Sequence, residues 1–298
     1  MMPDGRQGAD AMSDGLKSRS MIQSAPDAQP AKKSSRSSRR PVSGSIDAEN
    51  PVSERQYSAP PIIDAVIELR FEEPVSEAIR ESASKKLAAK YPVHEELTSQ
   101  QVEVQFQATS IATHASIQDR FTRRSNTDIN GIVIVGSQIL AVATGAPYPG
   151  WDTLFARLKE DWSIAKRAWK YRKLTRLGVR YVNRIDLSAD SKGIVEYEDF
   201  LALRISLPDA FPPINGYELA FQFALTELKC GATVRSGIAP PAVPGMTSFT
   251  LDVDVWRVLD VPQKENEVFE VLSDMRAAKN ELFETFITDR AREMFDAV

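Results

Sequence analysis

The feature that most constrains the fold is an alternation of apolar and polar residues in several separate segments of the chain. The clearest case is RLGVRYVNRIDL, residues 176–187, where Arg176, Arg180 and Arg184 fall on one side of an extended chain and the large apolar residues fall on the other. Successive side chains of a strand point to opposite faces, so this pattern predicts a strand with one buried face. It is typical of an antiparallel sheet that is covered on one face, whereas strands of parallel sheets are apolar on both faces.

The same periodicity recurs along the chain and is interrupted by segments with helical spacing. Alternation predicts strands at residues 59–71, 101–108, 175–187, 217–228, 232–238 and 248–259, and a hairpin at residues 130–144 that turns at Gly136-Ser137. Apolar residues spaced three and four apart predict helices at residues 76–91, 151–169 and 197–205, and a long closing helix from about residue 265.

The order of these elements is repeated in the two halves of the chain, residues 57–173 and 174–298. Each half is predicted as strand, helix, three strands and helix. The sequence therefore predicts an α+β fold in which two pseudo-repeated β-α-β-β-β-α halves form an antiparallel sheet with helices on one face. Residues 1–56 are rich in Ser, Gly, Pro, Asp and Arg and nearly lack large apolar side chains, which predicts a disordered tail.

Composition excludes several classes of protein. The 298 residues carry a net charge of −4, which is against a strong overall attraction to nucleic acid. One cysteine, Cys230, excludes an internal disulfide, and no apolar run is long enough for a membrane helix or a secretory signal, so we expect a cytoplasmic protein without membrane contact. With two histidines, His94 and His114, and no nucleotide-binding or nucleophile-elbow motif, we expect neither a cofactor nor a metal.

Charged residues on the polar sides of three predicted strands define a candidate binding surface. The first strand carries Asp64, Glu68 and Arg70 on one side, and TLDVDVWRV, residues 250–258, carries Asp252, Asp254 and Trp256 on one side. If these strands are neighbours, their polar sides share the uncovered face of the sheet. The residues predicted to bind a partner are Arg70, Arg180, Arg184, Asp252, Asp254 and Trp256.

Several interpretations of this face are open. The simplest is cross-strand ion pairing on a solvated surface. The functional interpretation that we adopt is a non-catalytic binding protein whose arginines take a carboxylate or phosphate and whose Trp256 stacks on a ring, with a protein partner or a second copy of the chain as the ligand. The alternatives are a nucleic-acid-binding module, and a metal-dependent nuclease, phosphodiesterase or toxin-like effector in which Asp252, Asp254 and Glu68 hold Mg²⁺.

Five segments together resemble a sporadically distributed bacterial family of uncharacterised proteins that are somewhat shorter than this chain. They are APPIIDAVIELRF, the YPGW turn, RLGVRYVNRIDL, LDVDV and NELFETFITDRAREMF, and they span the chain from about residue 58 to its end. The family opens with an N-P-P-I-x-E-A-like motif and has an R-x-G-L-R-Y-x-N-R-I-like centre, but here Ala59 stands in place of Asn and Asp64 in place of Glu. The resemblance implies an accessory or defence-related role and no assigned catalytic residues.

Overall fold

Two central strands join the two halves of the sequence into one sheet. The computed structural model describes residues 55–107, 110–189, 195–208, 210–212 and 216–296. Within them, strand β1 (Ile62–Phe71) pairs antiparallel with strand β6 (Leu174–Ser188), which opens the second half of the chain. The antiparallel sheet that was predicted is therefore continuous across both halves.

Nine strands form this sheet among the described residues, in the order β2-β3-β4-β5-β1-β6-β9-β8-β7, and every pair is antiparallel. The remaining strands of the first half are β2 (Val93–Gln107), β3 (Ser110–Ser125), β4 (Gly131–Val135) and β5 (Ile139–Gly145). Those of the second half are β7 (Glu218–Leu225), β8 (Cys230–Ala239) and β9 (Met246–Arg257).

The helices pack on one face of the sheet, as the alternation predicts. They are α1 (Glu77–Leu87), α2 (Trp151–Trp169), α3 (Glu265–Phe286) and α4 (Asp289–Asp296). One apolar cluster joins Ile67 and Val179 of the sheet to Leu158 and Leu272 of the helices, and a second joins other sheet residues to α3 and α4. The odd-numbered residues of β1, β6 and β9 face these helices, so the even-numbered residues of the same strands lie on the uncovered face.

The long helices and most strands agree with the sequence prediction, but two elements do not. The segment predicted as a helix at residues 197–205 is a short 3-10 turn, Tyr197–Asp199, followed by extended chain. Leu201 and Leu203 are both buried there, and the backbone N–H of Ala202 donates to the carbonyl of Phe286. Packing against the C-terminal end of α3 therefore overrides the local helical spacing.

Alternation did not predict strand β3, and the side chains described at its C-terminal end show polar residues on the covered side. The side chains of Thr122 and Arg124 are buried beneath α1, where Arg80 donates to the Thr122 hydroxyl and Arg124 Nε donates to Ser84 Oγ at 2.7 Å. A buried polar side is stable when its hydrogen bonds are made, but it removes the apolar periodicity by which a strand is recognised. The first half thus has four strands between α1 and α2, and the pseudo-repeat stays a prediction.

The predicted disordered tail, residues 1–56, lies outside the described residues except for its last two positions. At that point the guanidinium of Arg55 contacts the carboxylate of Asp296 at 2.8 Å, and the backbone N–H of Ala59 donates to the carbonyl of Phe295. The described chain therefore begins along helix α4.

Candidate functional site

Adjacent strands bring the predicted charged residues together on the uncovered face. Strands β1, β6, β9 and β8 are consecutive in the sheet, and their register sets Arg180 opposite Asp254 and Arg235 opposite Asp252. We call the resulting cluster the charged face. Its members are Asp64, Glu68, Arg70, Arg176, Arg180, Arg184, Asp186, Arg235, Asp252 and Asp254.

Arg180 and Asp252 form the central ion pair of the charged face. Arg180 Nε and Nη2 each donate to one oxygen of Asp252 at 2.8 Å, so the fork of the guanidinium meets the carboxylate in a bidentate arrangement. Burial by itself would lower the pKa of Arg180, but the hydrogen bonds to Asp252 and the charges of Asp254 and Asp64 raise it above its usual value. Asp252 also lies 3.5 Å from Arg235 of the neighbouring strand. Arg180 is thus held charged and in a fixed orientation.

Glu68 bridges two arginines that face each other across β1 and β6. Arg70 and Arg176 are direct neighbours in the register, an arrangement that is unfavourable for two like charges. Glu68 accepts from Arg70 Nε at 2.7 Å and also from Arg176 Nη1. Burial would raise the pKa of Glu68, yet the two guanidinium groups hold it below its usual range.

Small residues make room for this packing. A Cβ atom at Gly178 would lie 2.7 Å from Arg176 Nη1, so the arginine lies across the glycine on the sheet surface. Arg176 Nη2 also reaches Asp254 at 3.4 Å, and burial raises the pKa of the Asp254 carboxyl despite the neighbouring charges of Arg176 and Arg180. The charges of Glu68 and Asp252 raise it further, so the acidic groups of the cluster interact with one another.

Arg184 and Trp256 lie at opposite ends of the charged face. Arg184 pairs with Asp186 of its own strand at 3.2 Å. It lies four residues beyond Arg180 on β6, so the backbones of the two arginines are roughly 13 Å apart. The Trp256 ring lies over Gly231, where a Cβ would come within 2.3 Å of Trp256 Cζ2. Trp256 therefore lies along the sheet surface, with one side of the indole packed against β8.

Asp64 differs from the other acids because it has no hydrogen bond to an arginine among the described residues. It is half-buried on β1, and burial raises its pKa to about 6 against the opposing charge of Arg180. Asp64, Arg176 and Arg235 were not among the predicted binding residues. Alternation had placed Asp64 and Arg176 on this face, but only the pairing of β8 with β9 brings Arg235 to Asp252.

The charged face is layered, with acids below and arginines above. The side chains of Arg70, Arg176, Arg180 and Arg235 are 24–35% exposed. Those of Glu68, Asp252 and Asp254 are 11%, 8% and 18% exposed. Within each pair the carboxylate is therefore the deeper group, and an approaching molecule meets guanidinium edges first.

The carboxylates considered as Mg²⁺ ligands are engaged elsewhere. Glu68, Asp252 and Asp254 each contact at least one arginine. Among the residues that the structure describes, no three His, Cys, Asp or Glu side chains are grouped so that they could hold a metal ion. The buried Cys230 thiol, whose pKa is raised by burial, has the properties of a structural residue rather than of an activated nucleophile.

No family model matches this chain, and no curated protein matches it either. The resemblance to the sporadically distributed bacterial family therefore stays a prediction. None of the described helices combines the length and the apolar character that crossing a membrane requires.

Proposed function

We propose that this protein is a non-catalytic binding protein whose charged face takes an acidic segment of a polypeptide partner. The observation that carries the proposal is the layering of the face, in which more buried carboxylates orient more exposed arginines. A guanidinium that is already held in place loses less conformational entropy when it binds a carboxylate than a free side chain does.

The balance of charges supports a polypeptide in preference to nucleic acid. Every arginine of the charged face has a carboxylate within ion-pair distance, so the long-range field above the face is weak. Binding to a phosphate backbone depends on a strong positive field and on the release of counterions. Contacts to an acidic polypeptide segment depend on directional hydrogen bonds at short range, which exposed guanidinium edges provide.

The family resemblance supports a role as an accessory component, for example of a defence system. In such a role the protein recognises another component and leaves any reaction to that partner. The engagement of Glu68, Asp252 and Asp254 with arginines supports this over a metal-dependent nuclease, phosphodiesterase or toxin-like effector.

The test is calorimetric titration of the full chain with a glutamate-rich peptide, a lysine-rich peptide of the same length and a single-stranded oligonucleotide. We expect saturable binding of the glutamate-rich peptide and no saturable binding of the lysine-rich peptide or the oligonucleotide. Arg235→Gln, which removes one of the most exposed guanidinium groups of the face, is expected to weaken it about fivefold to tenfold. The matched control is Arg167→Gln, which removes an exposed arginine from helix α2 on the other side of the sheet.

Three outcomes contradict the proposal. An equal loss of affinity for the acidic peptide in Arg235→Gln and Arg167→Gln means that the peptide does not bind at the charged face. Binding of the oligonucleotide with a steep salt dependence favours the nucleic-acid-binding module. Cleavage of the oligonucleotide that requires added Mg²⁺ favours the enzyme.

A further inference from the structure

A cavity on the helix side of the sheet lies where the C-terminal end of α2 meets the N-terminal end of α3. It has a volume of about 250 Å³. Four of its ten lining residues are aromatic: Phe71, Trp162 and Trp169 are buried, and Tyr171 lies at the rim. The charged face described above lies on the other face of the sheet, so the cavity is separate from the proposed partner site.

Two hydrogen-bond donors in the lining residues have no acceptor. Trp169 Nε1 and Arg172 Nε are buried, and neither has a hydrogen-bond partner among the described residues. The side-chain amide of Gln263, which also lines the cavity, is already bonded to the backbone N–H and carbonyl of Leu174, at 2.9 and 3.0 Å. Leaving a buried donor unsatisfied is costly, so two such donors on lining residues of one cavity favour an acceptor there.

Charges around the cavity favour an anionic acceptor. Lys166, Lys170 and Arg172 line it together with a single acid, Glu265, which is paired with Lys166. Arg172 lies 3.6 Å from Glu73, which is outside the lining. Lys170 has no ion-pair partner in the part of the chain that the structure describes. Helix α3 begins at Glu265 without a side-chain cap, and the N-terminal end of a helix attracts negative charge.

The walls and the size define the rest of the ligand. Aromatic walls favour a planar ring over a hydrated inorganic ion, because the ring replaces water against apolar surface. The volume lies below the range that is usual for drug-sized ligands, which leaves room for a small ring system. We propose that this cavity is a binding site for a small aromatic carboxylate, whose oxygens accept from Trp169 Nε1 and Arg172 Nε.

Binding requires a small rearrangement of the rim. Both donor atoms are shielded by their neighbours in the free protein, so the carboxylate reaches them only when a wall shifts. Tyr171, which is 71% exposed, is the most exposed of the aromatic side chains at the cavity. Its movement opens the cavity at the least loss of buried apolar surface.

The experiment uses the full chain with benzoate and indole-3-acetate as probes, followed by calorimetry and by tryptophan fluorescence. Benzylamine, with a ring and a positive charge, and acetate, with a carboxylate and no ring, are the ligand controls. We expect saturable binding of one or both aromatic carboxylates and of neither control. Trp169→Phe and Arg172→Gln are each expected to weaken binding about tenfold, and Arg167→Gln, which removes an exposed arginine outside the lining, is expected to leave it unchanged.

The site is overturned if neither aromatic carboxylate binds saturably, or if binding is the same in Trp169→Phe and Arg172→Gln as in the parent protein. Far-UV circular dichroism checks that these two variants are folded. Lys170→Gln keeps the test decisive if they are not, because an exposed side chain contributes little to the fold. This variant removes a positive charge from the lining, so it must weaken binding of the carboxylate at least threefold, and an unchanged affinity contradicts the proposal.

Discussion

Arg180 interacts with three acidic residues of the charged face. It donates two hydrogen bonds to Asp252 and is also influenced by the charges of Asp254 and Asp64. Buried ion pairs contribute little net stability when both partners are present, but removing one partner leaves a buried charge uncompensated. The bidentate pair therefore determines local order more than it determines total stability.

We expect Arg180→Gln to lower the free energy of unfolding by about 2–4 kcal/mol, because Asp252 stays buried with only Arg235 beside it. Urea denaturation of Arg180→Gln, Asp252→Asn and the double variant measures the coupling between the two groups, which we expect to be about 1–3 kcal/mol. Arg184→Gln is the control, since its pair with Asp186 is more exposed and should be worth less than about 1 kcal/mol. Strict additivity in the double variant would show that the pair is not formed.

Lys279 on helix α3 is buried, and no carboxylate of the described residues lies within ion-pair distance of it. It is 4% exposed, and its Nζ lies 3.9 Å from the centre of the Tyr181 ring. Burial and, to a smaller extent, the charge of Arg276 lower its pKa from 10.5 to about 7, although the charge of Glu284 opposes this shift. In the unfolded chain the lysine keeps its ordinary pKa, so between pH 7 and 10.5 the unfolded state binds a proton that the folded state lacks.

The free energy of unfolding therefore rises with pH across this window, and the cost of burying Lys279 is complete below pH 7. We expect Lys279→Met to stabilise the protein by on the order of 3 kcal/mol at pH 6. The gain should shrink as the pH approaches 10.5. Urea denaturation at several pH values measures this, with the exposed Lys86→Met as control. A variant that is less stable than the parent at pH 6 would mean that the ammonium group has a favourable partner.

At the scale of elements, the predicted bounds of helix α2 agree with those in the structure. Its bounds, Trp151–Trp169, coincide with the predicted helix, because a broad apolar stripe and a basic last turn both specify the same segment. Phe155 and Trp162 of α2 make edge-to-face contacts with Phe269 of α3, so the two helices pack side by side over the sheet.

Leu158 of α2 is completely buried against the sheet. We therefore expect Leu158→Ala to reduce the free energy of unfolding by about 2–5 kcal/mol. Arg167 in the same helix is exposed, so Arg167→Ala should change the free energy of unfolding by less than about 0.5 kcal/mol. Chemical denaturation of both variants gives the comparison. Similar stabilities for the two variants would contradict the packing of α2 on the sheet.

At the scale of the whole molecule, the two halves share one sheet and one principal core. The larger apolar cluster contains Ile67 and Leu158 from the first half together with Val255 and Leu272 from the second. Neither half can bury its apolar face without the other, since the pairing of β1 with β6 lies in the middle of the sheet.

We therefore expect the described part of the chain to unfold in a single cooperative transition, although its sequence reads as two halves. Far-UV circular dichroism and tryptophan fluorescence should report the same midpoint in urea. Residues 57–173 expressed alone should not form a native core. Two separate transitions, or an independently folded half, would contradict this expectation.

The sequence by itself determined which residues share a face. Arg176, Arg180 and Arg184 alternate with apolar residues, and Asp252 and Asp254 do the same in their own segment. This alternation depends only on the geometry of an extended chain. That geometry is local, so it is readable without knowing any neighbour. Where local pattern was ambiguous, as in the polar covered side of β3 and in the extended chain after Tyr197–Asp199, the sequence prediction failed.

Only the tertiary structure decided which strands are neighbours and which charge meets which. The order β1-β6-β9 joins segments that are far apart in the chain, and it places Arg180 on Asp252 and Arg176 on Glu68. Register between distant strands depends on the packing of the whole core against the helices, and no local pattern encodes it. The same holds for the cavity between α2 and α3, whose unsatisfied donors exist only because two helix ends and a strand end converge.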